Sequence, residues 1–420
     1  MKKNNLQKWI IKNTLLVLLA LSVVFVIGCE DDSTNNPYEE NANYAGDGSG
    51  QPVVSQISPV DGAIAGVTEV TITGSNFLDS EEKLMVSFGG AEAEIISTSK
   101  TEIKVKAPNL IGDQLTVRVG TDNELWSDIV YYDLKPAFTI PNAFSKDEEV
   151  FAVAVNSAEE IFVSMKAFNA GVGIKKFSEG TKPVAFALKG GETFWNDLKF
   201  GKNDTLIGVY GVRALFKLLE GEKPSAYTRF ASSSYRVSAF DFDKDGVIWV
   251  GGSAGMLFSV QPDGTITEFE FAPVINAVKV YDGYLYLAID DGSEKSVKRF
   301  VINSSTELGT EETYFAFSNV FEYALNDINA ITFSNDGDMY LATNQEDPIL
   351  TVHSNGTYEP LYTGILQITP NLEQSVISLY WGNDKFLYAT YTYKPDAETQ
   401  LSTIFKIDMQ KLGAPQHGRD

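Results

Sequence analysis

Cysteine and histidine, the residue types that most often act as nucleophiles, general bases and soft-metal ligands, are almost absent from this chain of 420 residues. The one cysteine is Cys29, and the two histidines are His353 and His417. His353 falls in a predicted hairpin strand, and His417 falls in a tail, residues 414–420, that we expect to be frayed. A Ser-His-Asp triad, a cysteine protease site or a zinc centre would need more of these residues. We therefore predict no catalytic residue, no metal ligand and no cofactor.

Aspartates alternate in residues 241–246, DFDKDG, as they do at the start of a calcium-binding loop. Such a loop needs a bidentate glutamate at its twelfth position, which would be residue 252, and Gly252 stands there. A later segment, Asn335-Asp336-Gly337, occupies the same slot in its own repeat and reads as a turn. A hairpin turn therefore explains the three aspartates better than a cation site.

Small polar residues recur at one position when the six weak repeats of residues 136–413 are aligned. The position lies near the start of each innermost strand, and Phe151 occupies it in the first repeat. The other five members are Asn196, Ser238, Asn276, Asn329 and Ser378. Two interpretations stay open: these side chains bond to neighbouring backbones, or they line a small-molecule or metal pocket. Asp197 and Asp327 adjoin the ring, and strand alternation predicts that they point to the opposite face.

Aromatic residues accompany this polar ring. Trp195 adjoins Asn196, Tyr235 precedes the third innermost strand, and Tyr391 and Tyr393 fall in a predicted long loop of the sixth repeat. Flat aromatic faces beside hydrogen-bonding groups suit the C–H faces of sugar rings. We therefore predict a ligand-binding set that comprises Trp195, Asn196, Asp197, Tyr235, Ser238, Asn276, Asn329 and Ser378.

The N-terminus has the pattern of an export signal. Residues 1–14 carry four lysines and no acid, and residues 15–27 form an apolar run of 13 residues broken only by Ser22. A bilayer span needs about 20 residues, so this run is typical of a signal peptide. It ends in Val26-Ile27-Gly28-Cys29, which resembles the bacterial lipobox. The resemblance implies that residues 1–28 are removed and that Cys29 carries a lipid.

Three acidic residues, Glu30-Asp31-Asp32, follow that cysteine. They resemble the export signal of Bacteroidetes surface lipoproteins, which implies an outer-membrane protein that faces the medium. In a proteobacterial cell the same acids would suggest retention at the inner membrane, and this alternative stays open. Residues 29–51 are rich in Asn, Gly and Ser and have no apolar period, so we expect a lipidated, flexible tether.

The chain is strongly acidic. It has 33 basic side chains, of which four lie in residues 1–28, and 56 acidic ones, so the predicted mature chain has a formal charge of −27. Nucleic acids and anionic lipid head groups bind clustered Lys and Arg. We therefore exclude nucleic-acid partners and expect membrane contact through the lipid alone.

Residues 52–135 predict an immunoglobulin-like sandwich, because about seven short strands alternate apolar and polar residues between Gly, Pro and Asn turns. The segments Ile57-Ser58-Pro59, Val70 to Gly74 with Ser75-Asn76-Phe77, and Val86-Ser87-Phe88-Gly89 resemble the IPT/TIG family. The resemblance implies that Gly74 and Asn76 shape a turn, that Phe77 fills the core, and that the domain is a spacer or adhesive module.

Residues 136–413 contain an internal repeat, in which an apolar pair ends a hairpin turn at intervals of 37 to 54 residues. The pairs begin at Ile161, Leu206, Ile248, Leu285, Met339 and Leu387. The better units resemble NHL and gluconolactonase-like repeats, so we predict an all-β chain whose sandwich is followed by a six-bladed β-propeller. The sixth unit lacks a fourth strand, and we expect Ala137-Phe138-Thr139-Ile140 to supply it and to close the ring.

These patterns favour a non-enzymatic surface lipoprotein that binds an extracellular glycan or another small ligand for nutrient uptake, with an outer-membrane transporter as a possible partner. One alternative is a metal-dependent lactonase or a lyase that works at the channel mouth. Another is a scaffold that binds a second envelope protein.

Overall fold

The computed structural model describes residues 50–121, 125–320, 326–367, 373–396 and 399–417. The predicted signal peptide, Cys29 and residues 30–49 of the tether lie outside these ranges. Three single-turn 3₁₀ helices, Glu81–Lys83, Lys202–Asp204 and Phe317–Asn319, are the only helical elements of the described part, and the rest of its regular structure is strand. No helix within these ranges is long and apolar enough to cross a membrane.

The first domain is a sandwich of two sheets. One sheet has the strand order β1-β3-β7-β6, and the other has the order β2-β9-β8-β4-β5. The strands are β1 (Val53–Ser58), β2 (Ala63–Ile64), β3 (Glu69–Ser75), β4 (Leu84–Phe88), β5 (Ala91–Glu92), β6 (Glu94–Thr98), β7 (Glu102–Lys106), β8 (Gly112–Thr121) and β9 (Val130–Lys135).

The period of two in these strands builds the sandwich core. Val70 and Ile72 of β3 are fully buried and lie opposite Val105 and Ile103 of β7, as expected for a sheet with one face on the core. Phe77 is also buried. A side chain at Gly74 would collide with the carbonyl oxygen of Val53, and Asn76 has a left-handed backbone with φ of 61°. The roles implied for Asn76 and Phe77 are therefore confirmed, whereas Gly74 lies within strand β3 and allows the close approach of Val53 instead of shaping a turn.

The second domain consists of six antiparallel sheets within the described residues, of which five have four strands and one, blade 4, has five. Blade 1 has β11 (Glu148–Val155), β12 (Ile161–Ala167), β13 (Ala170–Phe177) and β14 (Val184–Ala187), and blade 2 has β15 (Asp197–Gly201), β16 (Thr205–Val209), β17 (Ala214–Leu218) and β18 (Ser225–Arg229). Blade 3 has β19 (Val237–Phe242), β20 (Ile248–Gly252), β21 (Met256–Val260) and β22 (Ile266–Glu270), and blade 4 has β23 (Val274–Tyr281), β24 (Tyr284–Asp290), β25 (Lys295–Ser304), the short β26 (Glu307–Leu308) and β27 (Glu312–Ala316). Blade 5 has β28 (Ala330–Phe333), β29 (Met339–Ala342), β30 (Ile349–Val352) and β31 (Tyr358–Pro360), and blade 6 has β32 (Gln374–Trp381), β33 (Phe386–Tyr393) and β34 (Leu401–Asp408).

The innermost strands form a closed ring. In the described part of the chain, β11 contacts β15, β15 contacts β19, β19 contacts β23, β23 contacts β28, β28 contacts β32, and β32 returns to β11. Each of the six apolar pairs found in the sequence lies in the second strand of its blade. The described residues that follow the sandwich therefore form a propeller of six sheets, as predicted.

The N-terminal segment of the propeller closes the ring, as predicted. Strand β10 (Phe138–Thr139) pairs antiparallel with β34 and forms the outer edge of blade 6. The ring of Phe138 packs on Phe405 at a centroid distance of 4.2 Å, and the backbone N–H of Asp408 donates to the carbonyl of Ala137 over 2.9 Å. The exposed edge of β34 is thus covered.

The C-terminal residues are held by the blades, so the prediction of a frayed tail over residues 414–420 is wrong for residues 414–417. Gly413 forms a β-bridge with Ser334, and the N–H of Ala414 donates to the carbonyl of Phe333 over 2.9 Å. Gly413 also lies against the Trp381 ring, where any side chain would clash. The segment therefore crosses from blade 6 to blade 5.

Replacement of Phe138 by alanine should destabilise the propeller by about 2 kcal/mol, because it removes the half-buried ring that holds β10 on blade 6. Phe168→Ala is the matched control, since Phe168 is 80% exposed, and it should change the free energy of unfolding by less than about 0.5 kcal/mol. Urea unfolding followed by tryptophan fluorescence measures both. Equal stability of the two variants would contradict closure by β10.

Candidate functional site

The polar ring predicted from the repeats converges on one cavity at the propeller axis. The cavity lies at the channel mouth, which is the end where the innermost strands begin. Its lining includes Asn196, Asp197, Ser238, Asn276, Asn329 and Ser378. Asp197 was predicted to point away from the ring, and the structure places it in the lining. Asp327 stays outside, where it is half-exposed and bonded to Lys295.

β-Bulges in the innermost strands set the direction in which several of these side chains point. Ser238 and Asn276 are the extra residues in bulges of β19 and β23, and Phe151 lies in a bulge of β11. In β32 the extra residue is Ile377, so Ile377, rather than Ser378, is the equivalent of the other ring members. Bulges re-aim side chains at barrel and propeller rims, and nothing in the local sequence marks where a register shift falls.

The cavity itself is too small for an organic ligand. Its volume of about 30 Å³ suits one or a few water molecules, whereas small-molecule sites usually have 300 Å³ or more. The polar ring therefore forms the narrow end of a site and cannot enclose a sugar.

Three polar side chains that line the cavity form hydrogen bonds to the backbone of the neighbouring blade. The side-chain amide of Asn329 in blade 5 donates to the carbonyl of Val376 in blade 6 over 2.8 Å. The hydroxyl of Ser378 in blade 6 accepts from the N–H of Val153 in blade 1 over 3.4 Å. Asp197 in blade 2 accepts from the N–H of Phe240 in blade 3 over 3.1 Å. For these residues the structural interpretation explains the polar side chain.

The other part of the ring has free hydrogen-bonding capacity. Asn196, Ser238 and Asn276 belong to three consecutive blades, and no side-chain hydrogen bond to them occurs within the described residues. Asn196 is exposed, and the other two are partly exposed. These groups can therefore bond to water or to a ligand at the mouth.

The acidic groups at the axis are neutralised by lysines. Lys199 binds Asp197 at 3.0 Å, and the buried Lys279 binds Asp241 at 3.0 Å. Burial lowers the pKa of Lys199, but the charges of Asp197 and Asp241 outweigh it, so the pKa is raised above its ordinary value. A divalent cation prefers uncompensated carboxylates, and it would have to displace these ammonium groups. The donor set does not fit a metal.

The calcium-like segment 241–246 is a hairpin turn, as predicted. Asp243 accepts hydrogen bonds from the backbone N–H groups of Asp245 and Val247, each over 2.9 Å, and from the Trp249 indole over 3.1 Å. Both carboxylate oxygens of Asp243 therefore already accept hydrogen bonds within the hairpin. No group of three or more His, Cys, Asp and Glu in the described ranges is arranged to hold a metal ion.

The predicted aromatic contacts need correction. Trp195 is 1% exposed and packs edge-on against Tyr210 and Phe216, so its face is unavailable to a ligand. Tyr235 lies outside the cavity lining, where it packs on Phe258 and bonds to Glu268. Tyr391 is fully buried; like Tyr393 it belongs to strand β33, where a long loop was predicted.

The aromatic pair that does reach the mouth is Phe151 with Phe194. The two rings stack at a centroid distance of 4.2 Å and an interplanar angle of 16°, and both are partly exposed. Together with Glu149, Asn196, Thr392 and Gln400 they line a hollow of about 310 Å³, which the predicted Trp195 also borders although its ring is buried. Phe194 precedes strand β15 and lies in no strand, so the alternation of strand residues gave no signal for it.

Lys166 accompanies the aromatic pair. Its ammonium lies 4.7 Å from the Phe151 centroid and 5.0 Å from the Phe194 centroid. Because the rings are only 4.2 Å apart, the near-equal distances place the ammonium beside the stack. Glu149 pairs with Lys166 at 3.5 Å. Glu149 lines the hollow, so its charge there is neutralised by Lys166, which lies beside the aromatic pair.

Comparison with known proteins identifies the first domain. Residues 52–135 match the family model described as IPT/TIG domain, so this part of the chain is an IPT/TIG domain, as its sequence motifs predicted. No curated protein matches the chain.

Several solved structures are similar in fold. A structural genomics protein of unknown function from Bacteroides thetaiotaomicron is 14% identical, with 86% of this chain and 99% of that chain covered and a TM-score of 0.50. An auxiliary nutrient binding protein from the same species is 9% identical, with coverage of 85% and 98% and a TM-score of 0.47. Virginiamycin B lyase from Staphylococcus aureus is 16% identical, with coverage of 86% and 96% and a TM-score of 0.42. The first similarity concerns the fold alone, and the two lower scores add no argument to it.

The two parts of the polar ring should respond differently to mutation. Asn329→Ala removes the hydrogen bond to the Val376 carbonyl and should cost about 1–2 kcal/mol of unfolding free energy. Asn276→Ala removes a side chain that has no hydrogen-bond partner among the described residues, and it should cost less than about 0.5 kcal/mol. Chemical denaturation measures both changes. Similar losses for the two variants would show that the ring is structural throughout.

Proposed function

We propose that the propeller binds a glycan at the mouth of its channel, and that the protein is a surface lipoprotein of the outer membrane that presents this site to the medium. The observation that carries the proposal is the stacked Phe151–Phe194 pair, which is partly exposed beside a hollow of about 310 Å³. No catalytic residue is assigned.

The chemistry of the hollow suits a sugar. The C–H faces of a pyranose pack on aromatic rings, and its hydroxyl groups both donate and accept hydrogen bonds. Asn196 and Gln400 offer amides, Thr392 offers a hydroxyl, and Glu149 offers a carboxylate. Pockets of this kind combine an apolar wall with a few polar groups that set orientation.

The polar ring can add hydrogen bonds to a glycan that is bound on the aromatic pair. Asn196 belongs both to the axial cavity and to the hollow, and Ser238 and Asn276 continue the ring from it. A glycan on the aromatic pair could therefore reach these groups directly or through the waters that a cavity of about 30 Å³ can hold.

The N-terminal pattern supports the location. Cys29 at the end of an apolar run, followed by Glu30-Asp31-Asp32, predicts a lipid anchor and export to the cell surface. The tether and the IPT/TIG domain would then hold the propeller away from the membrane, and a bound glycan could pass to an outer-membrane transporter.

Phe194→Ala should weaken glycan binding about tenfold or more, because it removes half of the aromatic stack. Affinity electrophoresis of residues 30–420 in gels that contain soluble polysaccharides identifies a ligand, and calorimetry measures the change. Tyr131→Ala is the control, since Tyr131 is 57% exposed on the sandwich domain. Failure of the unchanged protein to bind any polysaccharide, with capture of an envelope protein in pull-downs, would favour the scaffold alternative.

Cys29→Ala should abolish incorporation of labelled palmitate in a Bacteroidetes host and release the protein from membranes. Replacement of Glu30, Asp31 and Asp32 by alanine should leave the lipid in place and remove surface exposure, measured as protection from proteinase K in intact cells. Persistent labelling of the Cys29→Ala variant would refute the anchor.

A further inference from the structure

We infer that the ligand is a neutral oligosaccharide of at least three units, which lies along a surface cleft over blade 6 and does not enter the channel. This inference rests on the proposed glycan-binding function and extends it, because it assigns the class of glycan and the path that the chain follows.

The cleft consists of two adjoining hollows on the mouth face. The proximal hollow, of about 310 Å³, contains the Phe151–Phe194 pair. The distal hollow, of about 290 Å³, lies between blades 5 and 6. Thr392 and Gln400 line both hollows, so they meet at these two residues. The distal hollow is lined by Asn344, Glu373, Gln374, Ser375, Thr392, Tyr393, Lys394 and Gln400.

The size of the hollows indicates more than one sugar unit. Each alone lies at the lower end of the range for small-molecule sites, and the axial cavity of about 30 Å³ blocks extension down the channel. A ligand that grows from the aromatic pair can therefore only extend sideways, past Thr392 and Gln400, into the distal hollow.

The distal hollow repeats the chemistry of the proximal one. Tyr393 is partly exposed and supplies an aromatic ring. Asn344 accepts through its side-chain oxygen from Asn326 and from the N–H of Asp327, and no hydrogen bond uses its own N–H groups within the described residues. An aromatic surface at each end and hydrogen-bonding groups between them match successive sugar units.

The charges of the cleft indicate a neutral glycan. Glu149 of the proximal hollow is paired at 3.5 Å with Lys166, which lies beside that hollow, and Lys394 is paired with Glu373 in the distal hollow. Each cation is thus matched by a carboxylate, and the full sequence has a formal charge of −23. Lys394 is the one cationic side chain among the described residues that line the two hollows, and it is paired, so a polyuronate would meet no unpaired cation among them and would be repelled by the protein as a whole.

The test uses residues 30–420 and calorimetry with xylo-, malto- and laminari-oligosaccharides of one to six units, and with oligogalacturonates of equal length. For the series that binds, the affinity should rise about tenfold or more between one and three units and then level off, and the oligogalacturonates should not bind. Equal affinity for one and six units, or preference for the uronates, would overturn the inference while the glycan-binding function stands. No binding of any of these sugars or of the screened polysaccharides would overturn the function itself.

Substitutions of residues in the two hollows test whether the oligosaccharide lies along the cleft. Tyr393→Ala and the exposed Gln400→Ala should each weaken binding of the tetramer about fivefold or more and leave binding of the monomer unchanged, whereas Phe194→Ala should weaken both. Tyr393→Phe keeps the ring and should retain most of the affinity, which controls for misfolding of the alanine variant. If Tyr393→Ala and Gln400→Ala bind the tetramer as well as the unchanged protein does, the cleft is not the path.

Discussion

The propeller depends on the hydrogen bonds that each blade provides to the backbone at the inner edge of the next blade. An innermost strand has a ladder partner on one side only, so its other backbone groups would be buried without hydrogen bonds. Polar side chains of the preceding blade supply those bonds. Ser164 accepts from the N–H of Trp195 over 2.7 Å, Asp241 accepts from Val280 over 2.8 Å, and Ser402 accepts from Val150 over 2.8 Å, which closes the ring from blade 6 to blade 1.

This constraint explains both the composition and the width of the channel. The blades need short polar side chains near the axis, and those that bond to a neighbour are held in place and close the channel to ligands. Lys199 and Lys279 neutralise the aspartates of this network, because an unpaired buried carboxylate would be costly. The residues at the axis therefore serve mainly to connect the blades, and the hollow with the aromatic pair lies beside them at the channel mouth.

The candidate site lies where the pattern of polar residues is interrupted. Phe151 replaces an amide or hydroxyl in blade 1, and it stacks on Phe194 from blade 2 instead of bonding to a backbone. Around this pair the inner edge is apolar, and the open surface continues over blade 6 past Thr392 and Gln400. The same residue that departs from the ring thus creates the surface on which the proposed function depends.

The sequence by itself determined the strands, the two domains and the gathering of Asn196, Ser238, Asn276, Asn329 and Ser378, because alternation within a strand and repetition between blades are local or periodic signals. Only the tertiary structure decided which face of each strand is buried and which polar groups are already bonded. The repeat placed Trp195 beside Asn196, but contacts with Tyr210 and Phe216 decided that the Trp195 ring is buried, while Phe194 is partly exposed. The bulge at Ile377 and the order of residues 413–417 likewise arise from pairing between segments distant in the chain. Such pairing leaves no periodic signal in the residues that take part in it.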